Sequence, residues 1–114
     1  MLWDKVKPSS AKAKGRLLQD WTRNQLITEL QIHPEDIKTA VMGESGEDIK
    51  MARAARDKFP LSIECKNVEK LNVWEAYEQA SENCGDYEPI VVMKKNRKKP
   101  LIVVDAEYFI HLFK

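Results

Sequence analysis

The sequence contains few of the residues on which several classes of small protein depend. Its two cysteines are too few for a disulfide-stabilised scaffold, and they lack the paired spacing of a zinc site. Neither of the two histidines has a partner at metal-ligand spacing, so we expect both to be structural. No apolar run approaches the roughly 18 residues of a membrane span, and the first residues are not typical of a signal peptide. We therefore expect a cytoplasmic protein without a membrane partner.

The charged side chains are unevenly distributed, although the formal net charge is only +1. Residues 1–16 contain five basic side chains and one acid, and residues 94–99 contain five basic side chains and no acid. Most acids lie between these ends. Because Lys and Arg bind phosphates, the distribution favours a polyanionic partner such as DNA. The candidate nucleic-acid-binding residues are Lys12, Lys14, Arg16, Lys94, Lys95, Arg97, Lys98 and Lys99.

The length and patterning predict one α/β domain. With 114 residues, 43% of them hydrophobic, the chain is long enough for a single core. We expect an irregular basic arm over residues 1–10 and one domain over residues 11–114. The periodicity predicts the order αβββαββα, a mixed central β-sheet flanked by helices. The predicted helices span 11–32, 72–83 and a last segment capped by Asp105, with one or two helical turns over 52–58; the predicted strands span 37–42, 48–51, 61–66, 90–93 and 101–104.

Several apolar side chains are assigned to the core by their spacing. Trp21 and Trp74 fit the packed stripes of their helices, although either can stack on a base. The two apolar runs near the C-terminus are typical of strands buried on both faces. For the last helix two interpretations stay open: its apolar side chains close the core, or together with Trp3 they form the interface of a homodimer. These side chains are Phe109, Ile110, Leu112 and Phe113.

The strand predicted over residues 61–66 carries charges on one face. Side chains of a strand alternate between its faces, so Glu64 and Lys66 share the face opposite to Ile63 and Cys65. A neighbouring strand brings Asp48 into reach. Two carboxylates and one amine suit a divalent metal ion and a phosphodiester. The structural alternative is an exposed, salt-bridged face of an edge strand.

An acid after a glycine turn, an E-x-K strand and a following helix resemble the PD-(D/E)XK nuclease superfamily, and the resemblance covers the chain from Lys14 to the last helix. It implies a Mg²⁺ ion, for which Mn²⁺ substitutes, held by Asp48, Glu64 and the backbone carbonyl of Cys65. It also implies that Lys66 orients the attacking water or stabilises charge on the phosphate. The proline of the family name is absent before Asp48, where Glu47 stands.

The same resemblance suggests further site residues. The segment starting Lys14-Gly15 resembles the first helix of branched-DNA resolvases, in which an acid joins the site. Here Gln19 holds that position, and Asp20 reaches it only with a shift of register. Gln79, on the helix after the E-x-K strand, is another candidate for the site. Ser45 and Glu47 are secondary candidates in the turn beside Asp48.

The resemblance implies a Mg²⁺-dependent DNA endonuclease. We expect a homodimer, because one such site cuts one strand whereas a junction or a duplex needs two matched cuts. No recognition domain is evident, so structure-selective cutting of branched DNA is the simpler expectation. Holliday-junction resolvases and small free-standing phage nucleases are the members that the chain resembles. The alternatives are a nicking, restriction-type or mobile-intron-associated endonuclease on the same fold, and a non-catalytic nucleic-acid-binding protein.

Overall fold

A computed structural model describes residues 10–41 and 43–114. The predicted arm, apart from Ser10, therefore lies outside the described residues, as do Trp3 and Met42. The elements are α1 (Ala11–Leu30), a 3₁₀ turn (Pro34–Asp36), β1 (Ile37–Thr39), β2 (Ile49–Met51), α2 (Arg53–Lys58), β3 (Leu61–Asn67), α3 (Val73–Glu82), β4 (Glu88–Lys94), β5 (Leu101–Val103) and α4 (Ala106–His111).

Helix α1 begins and ends at identifiable capping residues. The Ser10 hydroxyl accepts a hydrogen bond from the N–H of Ala13 at 3.1 Å, which satisfies one of the free amides of the first turn. At the other end Gln31 is left-handed, with φ of 55°, and its carbonyl accepts a hydrogen bond from Lys58 Nζ at 2.7 Å. The helix therefore ends at Leu30, two residues before the predicted end at Ile32.

The strands form two small sheets with both antiparallel and parallel pairs. β1 and β2 are antiparallel, with Ile37 opposite Met51. β3 and β4 are parallel and connected through α3, and β5 adds to β4 in the antiparallel direction. The N–H of Asp48 donates to the carbonyl of Ile63 at 2.9 Å and so joins the first sheet to β3. The fold is a compact α/β arrangement with mixed strand pairing, as the sequence predicts.

β3 and β4 are covered on both faces. On one face Leu18 and Leu26 of α1 pack with Ile63 and Cys65 of β3. On the other face α3 covers the strands, and its buried alanines pack against Val91. The Asn72 side chain caps α3 by accepting a hydrogen bond from the N–H of Glu75 at 3.1 Å. The charged face of the E-x-K strand is therefore covered by a helix.

The first strand is shorter than predicted because a turn begins soon after it. The N–H of Val41 donates to Glu44 Oε1 at 2.9 Å, and the N–H of Glu44 donates to the carbonyl of Val41 at 3.0 Å. These bonds replace ladder bonds, so β1 ends at Thr39. Strand β4 is longer than predicted and spans Glu88–Lys94.

Three packing predictions are wrong. Trp74 is 80% exposed, because the packed face of α3 is formed instead by alanines one helical turn apart. β5 is an edge strand, so its side chains are not buried on both faces. α4 follows this edge strand and has no buried residue. Of the two interpretations, the one in which this segment closes the core is therefore wrong, because the large apolar side chains of α4 and of the residues after it are exposed: Phe109, Ile110, Leu112 and Phe113. Trp21, by contrast, packs against the core as predicted.

In the described part of the chain, none of the helices combines the length and apolar character required to cross a membrane.

Candidate active site

Backbone hydrogen bonds place Asp48 beside the centre of β3. Its N–H donates to Ile63, and its carbonyl accepts a hydrogen bond from the N–H of Ala40 at 2.8 Å. Its carboxylate oxygen Oδ2 accepts a hydrogen bond from the N–H of Cys65 at 2.7 Å. These bonds hold the carboxylate against the residues on either side of Glu64. The structure therefore brings together the two acids that the sequence predicts.

Glu64 is a buried acid whose side chain is only partly satisfied. It is 4% exposed, and its Oε1 atom has no hydrogen-bond partner among the described residues. Burial of a carboxylate without full hydrogen bonding is costly. The burial excludes the structural alternative of a solvated, salt-bridged strand face at this position. It also makes Glu64 a suitable ligand for a bound cation.

The two carboxyl groups share an environment that disfavours two negative charges. Burial, followed by the charge of Asp48, raises the pKa of Glu64 to about 7. Burial also raises the pKa of Asp48, although the hydrogen bond from Cys65 and the charge of Lys66 oppose the rise. Either a proton or a metal ion relieves the repulsion between the two groups.

Lys66 supplies positive charge to the pair. It is half-buried, and its charge lowers the pKa of both acids. The strand register sets it on the same face as Glu64, opposite Met93 of β4. The predicted set of Asp48, Glu64 and Lys66 is thus assembled at one position of the fold.

Asn83 is a site residue that the sequence interpretation missed. It is the C-cap of α3, and hydrogen bonding from its side chain lowers the pKa of Glu64. The buried alanines Ala76 and Ala80 lie on the same helical face, at spacings of three and four residues. This spacing in the sequence could have identified Asn83, because Asn83 continues the helical face that covers β3.

The other predicted residues are not brought into the carboxylate pair. Gln19 is half-buried on α1, whereas Asp20 and Gln79 are exposed, and none of the three makes a side-chain hydrogen bond within the described ranges. The Glu47 carboxylate is instead bound to Arg56 Nη2 at 2.6 Å. Ser45 is exposed and offers only its carbonyl, which accepts a hydrogen bond from Lys50 Nζ at 2.7 Å.

The donor set fits a hard divalent cation better than a soft one. No group of three or more His, Cys, Asp or Glu side chains at metal-binding distance is present in residues 10–41 and 43–114. Mg²⁺ is commonly held by only one or two carboxylates, with water and substrate phosphate completing its shell. The Glu64 carboxyl group, which interacts with Asp48 and has one unpartnered oxygen, matches this mode. The Cys65 thiol does not contribute, because burial raises its pKa and keeps it neutral.

The stability of the metal-free protein is expected to fall as the pH rises from about 4.5 through about 7. Glu64 has a higher pKa in the folded than in the unfolded state, so the folded state binds more protons in this window and unfolding becomes easier as they are lost. The loss is on the order of 3 kcal/mol. Urea unfolding in EDTA at several pH values measures it.

The matched variant for this measurement is Glu64→Gln, which cannot ionise. The free energy of unfolding of this variant should fall much less with rising pH, and the variant should be more stable than the wild type at pH values above about 7. Equal pH dependence of the two proteins would show that Glu64 does not carry the effect.

No family model matches the sequence, and neither the curated proteins nor the solved structures compared with it give a match. The arguments for a function therefore come from the residues and from the geometry of the site.

Proposed function

We propose that the protein is a Mg²⁺-dependent DNA endonuclease with a restriction-endonuclease-like arrangement of strands and helices. The observation that carries the proposal is the buried Glu64, whose Oε1 atom has no hydrogen-bond partner among the described residues and whose carboxyl group lies within electrostatic reach of Asp48 and Lys66. A purely structural strand would gain stability from an apolar residue at this position. A site for a cation and a phosphate accounts for all three charged residues.

Each residue then has a defined role in phosphodiester hydrolysis. Asp48 and Glu64 hold the ion, with the backbone carbonyl of Cys65 as a third oxygen donor. When bound, Mg²⁺ supplies Lewis-acid charge to the phosphate. Lys66 orients the attacking water or stabilises the charge that builds on the phosphate. The Asn83 side chain favours the ionised form of Glu64, because it lowers the pKa of that carboxyl group. Gln19 and Gln79 remain candidates for contact with the substrate.

The described part of the N-terminal basic segment, residues 10–16, and the basic segment 94–99 lie close to this site and to one another. The carbonyl of Lys14 on α1 accepts a hydrogen bond from Asn67 Nδ2 at the end of β3, at 2.9 Å. Glu69 lies between the two segments: its Oε2 is 3.9 Å from Lys14 Nζ and accepts a hydrogen bond from the N–H of Asn96 at 2.7 Å. Basic side chains of both segments therefore lie near the C-terminal ends of β3 and β4. This supports DNA as the partner.

Cleavage of DNA in the presence of Mg²⁺ or Mn²⁺, and none in EDTA, is the expected result with the purified protein. Supercoiled plasmid, linear duplex and a four-way junction should be compared, with the junction cut fastest if the enzyme is structure-selective. Binding without cleavage of any of these substrates would instead identify a non-catalytic nucleic-acid-binding protein.

A homodimer is the expected assembly, because one such site cuts one strand and a two-fold pair supplies two matched cuts. The exposed apolar side chains of α4 and of the residues after it support an interface with a second copy. Light scattering at micromolar concentration should give twice the monomer mass, and Ile110→Asp should reduce it. A mass near 13.2 kDa for the wild type, with and without a four-way junction, contradicts the dimer.

A further inference from the structure

A pocket of about 550 Å³ opens beside the C-terminal ends of β3 and β4. Its apolar lining comes from the loop after β3, the start of α3 and the two following strands. These side chains are Val68, Leu71, Val73, Met93 and Leu101. The volume lies in the range of roughly 300–1,000 Å³ that is typical of small-ligand sites.

The rim of this pocket is strongly basic. Five lysines line it together with one acid, Glu69. The charge of Glu69 is already engaged by Lys14 and by the N–H of Asn96. The lysines are Lys70, Lys94, Lys95, Lys98 and Lys99. An apolar floor surrounded by several lysine side chains suits a ligand that has a flat apolar part and several negative charges around it.

The pocket lies on the same sheet face as the candidate active site. Lys66 of β3 is opposite Met93 of β4, and Met93 is opposite Leu101 of β5. Side chains at paired positions point to one face, and neighbouring strands are about 4.8 Å apart. Lys66 and Leu101 are therefore about 10 Å apart at the two ends of one row. This separation is close to the distance that one or two nucleotides span.

We propose that the pocket receives the base of an unpaired nucleotide next to the phosphate that is cut. The lysines of the rim hold the phosphates on either side of that base, and the apolar floor packs against the base itself. Several lysines match several phosphates better than the single carboxylate of a fatty acid. The inference rests on the proposed endonuclease function and adds a substrate class, since a base that is stacked and paired in a duplex cannot enter the pocket.

The test is a binding experiment with the full chain in EDTA, where no cleavage occurs. An oligothymidylate and an abasic oligonucleotide of equal phosphate number are compared by fluorescence anisotropy. Because burial of a base against apolar side chains is favourable, the abasic strand should bind about 5- to 100-fold more weakly. Leu101→Ser should remove most of this difference. Lys99→Gln should instead weaken both strands by a similar factor.

Ile102→Ser is the matched control. Ile102 is 55% exposed and Leu101 is 52% exposed on the same strand, but only Leu101 lines the pocket. The control should keep the full preference for the strand with bases. Equal affinity of the wild type for both oligonucleotides overturns the inference, and so does the same loss in the two serine variants. Displacement of bound DNA by a medium-chain fatty acid without any dependence on bases also overturns it.

This binding experiment and the cleavage assay together distinguish failure of the pocket inference from failure of the endonuclease proposal. If the protein prefers the strand with bases but never cuts DNA, the nucleotide site is supported and the endonuclease proposal is contradicted. If the protein cuts DNA but binds both oligonucleotides equally, only the inference about the pocket is contradicted.

Discussion

Glu64→Gln and Asp48→Asn are each expected to lower the rate of Mg²⁺-dependent DNA cleavage by at least about 100-fold. Each change removes one anionic oxygen donor while keeping the shape of the side chain. With one negative charge fewer, the site attracts a divalent ion more weakly. Lys66→Met should cause a comparable loss, because the positive charge near the phosphate disappears. Cleavage of a four-way junction and of plasmid DNA under single-turnover conditions measures these effects.

Folding must be shown to survive these changes. Circular dichroism should be unchanged for Glu64→Gln, and its melting temperature in EDTA should equal or exceed that of the wild type, because a repelling charge is lost. Glu78→Gln is a suitable control, since Glu78 is an exposed acid on α3. It should cleave at the wild-type rate. Near wild-type cleavage by all three site variants would show that the site is assigned to the wrong residues.

Arg56→Ala is expected to cause the largest loss of stability, about 3–5 kcal/mol in the free energy of unfolding. Arg56 is 8% exposed and binds Glu47 Oε1 at 2.6 Å and the carbonyl of Leu61 at 3.0 Å. Its guanidinium also lies 4.3 Å from the centre of the Tyr87 ring. Removing it leaves a largely buried carboxylate and a carbonyl without their partner.

Arg53→Ala provides the matched comparison on the same short helix. Arg53 forms an exposed pair with Asp57, with 3.5 Å between the charged atoms, and such pairs contribute about 0–1 kcal/mol. Urea unfolding should therefore separate the two alanine variants by several kcal/mol. Similar midpoints for both would mean that the Arg56 contacts contribute little. Because Glu47 precedes Asp48, Arg56→Ala should also reduce cleavage activity.

The sequence identifies those parts of the fold and site that depend on local chemistry. Alternation along residues 61–66 is enough to set Glu64 and Lys66 on one face, and the caps Ser10 and Asn72 are recognisable from their residue types. The acid Asp48 is also found beside that strand, as expected. These features need only the geometry of a strand or of a helix end.

The features that the sequence does not reveal depend on tertiary contacts. The apolar pattern of α4 indicates an amphipathic helix, but it does not say whether the chain itself provides a surface for that helix to cover. Arginine is usually a surface residue, so the sequence does not indicate that Arg56 is buried. Its burial follows from contacts with three partners on separate segments. Asn83 acquires its role only because α3 lies across Glu64.

The hydrogen bond from the N–H of Cys65 to the carboxylate of Asp48 has a further use, because it ties an amide proton to the charge of a candidate metal ligand. The NMR chemical shift of such a proton follows the ionisation of its acceptor. The Cys65 amide resonance is therefore an internal spectroscopic probe of Asp48. Titration of the isotope-labelled protein with acid or with Mg²⁺ can be followed at this one resonance, without DNA and without any change to the chain.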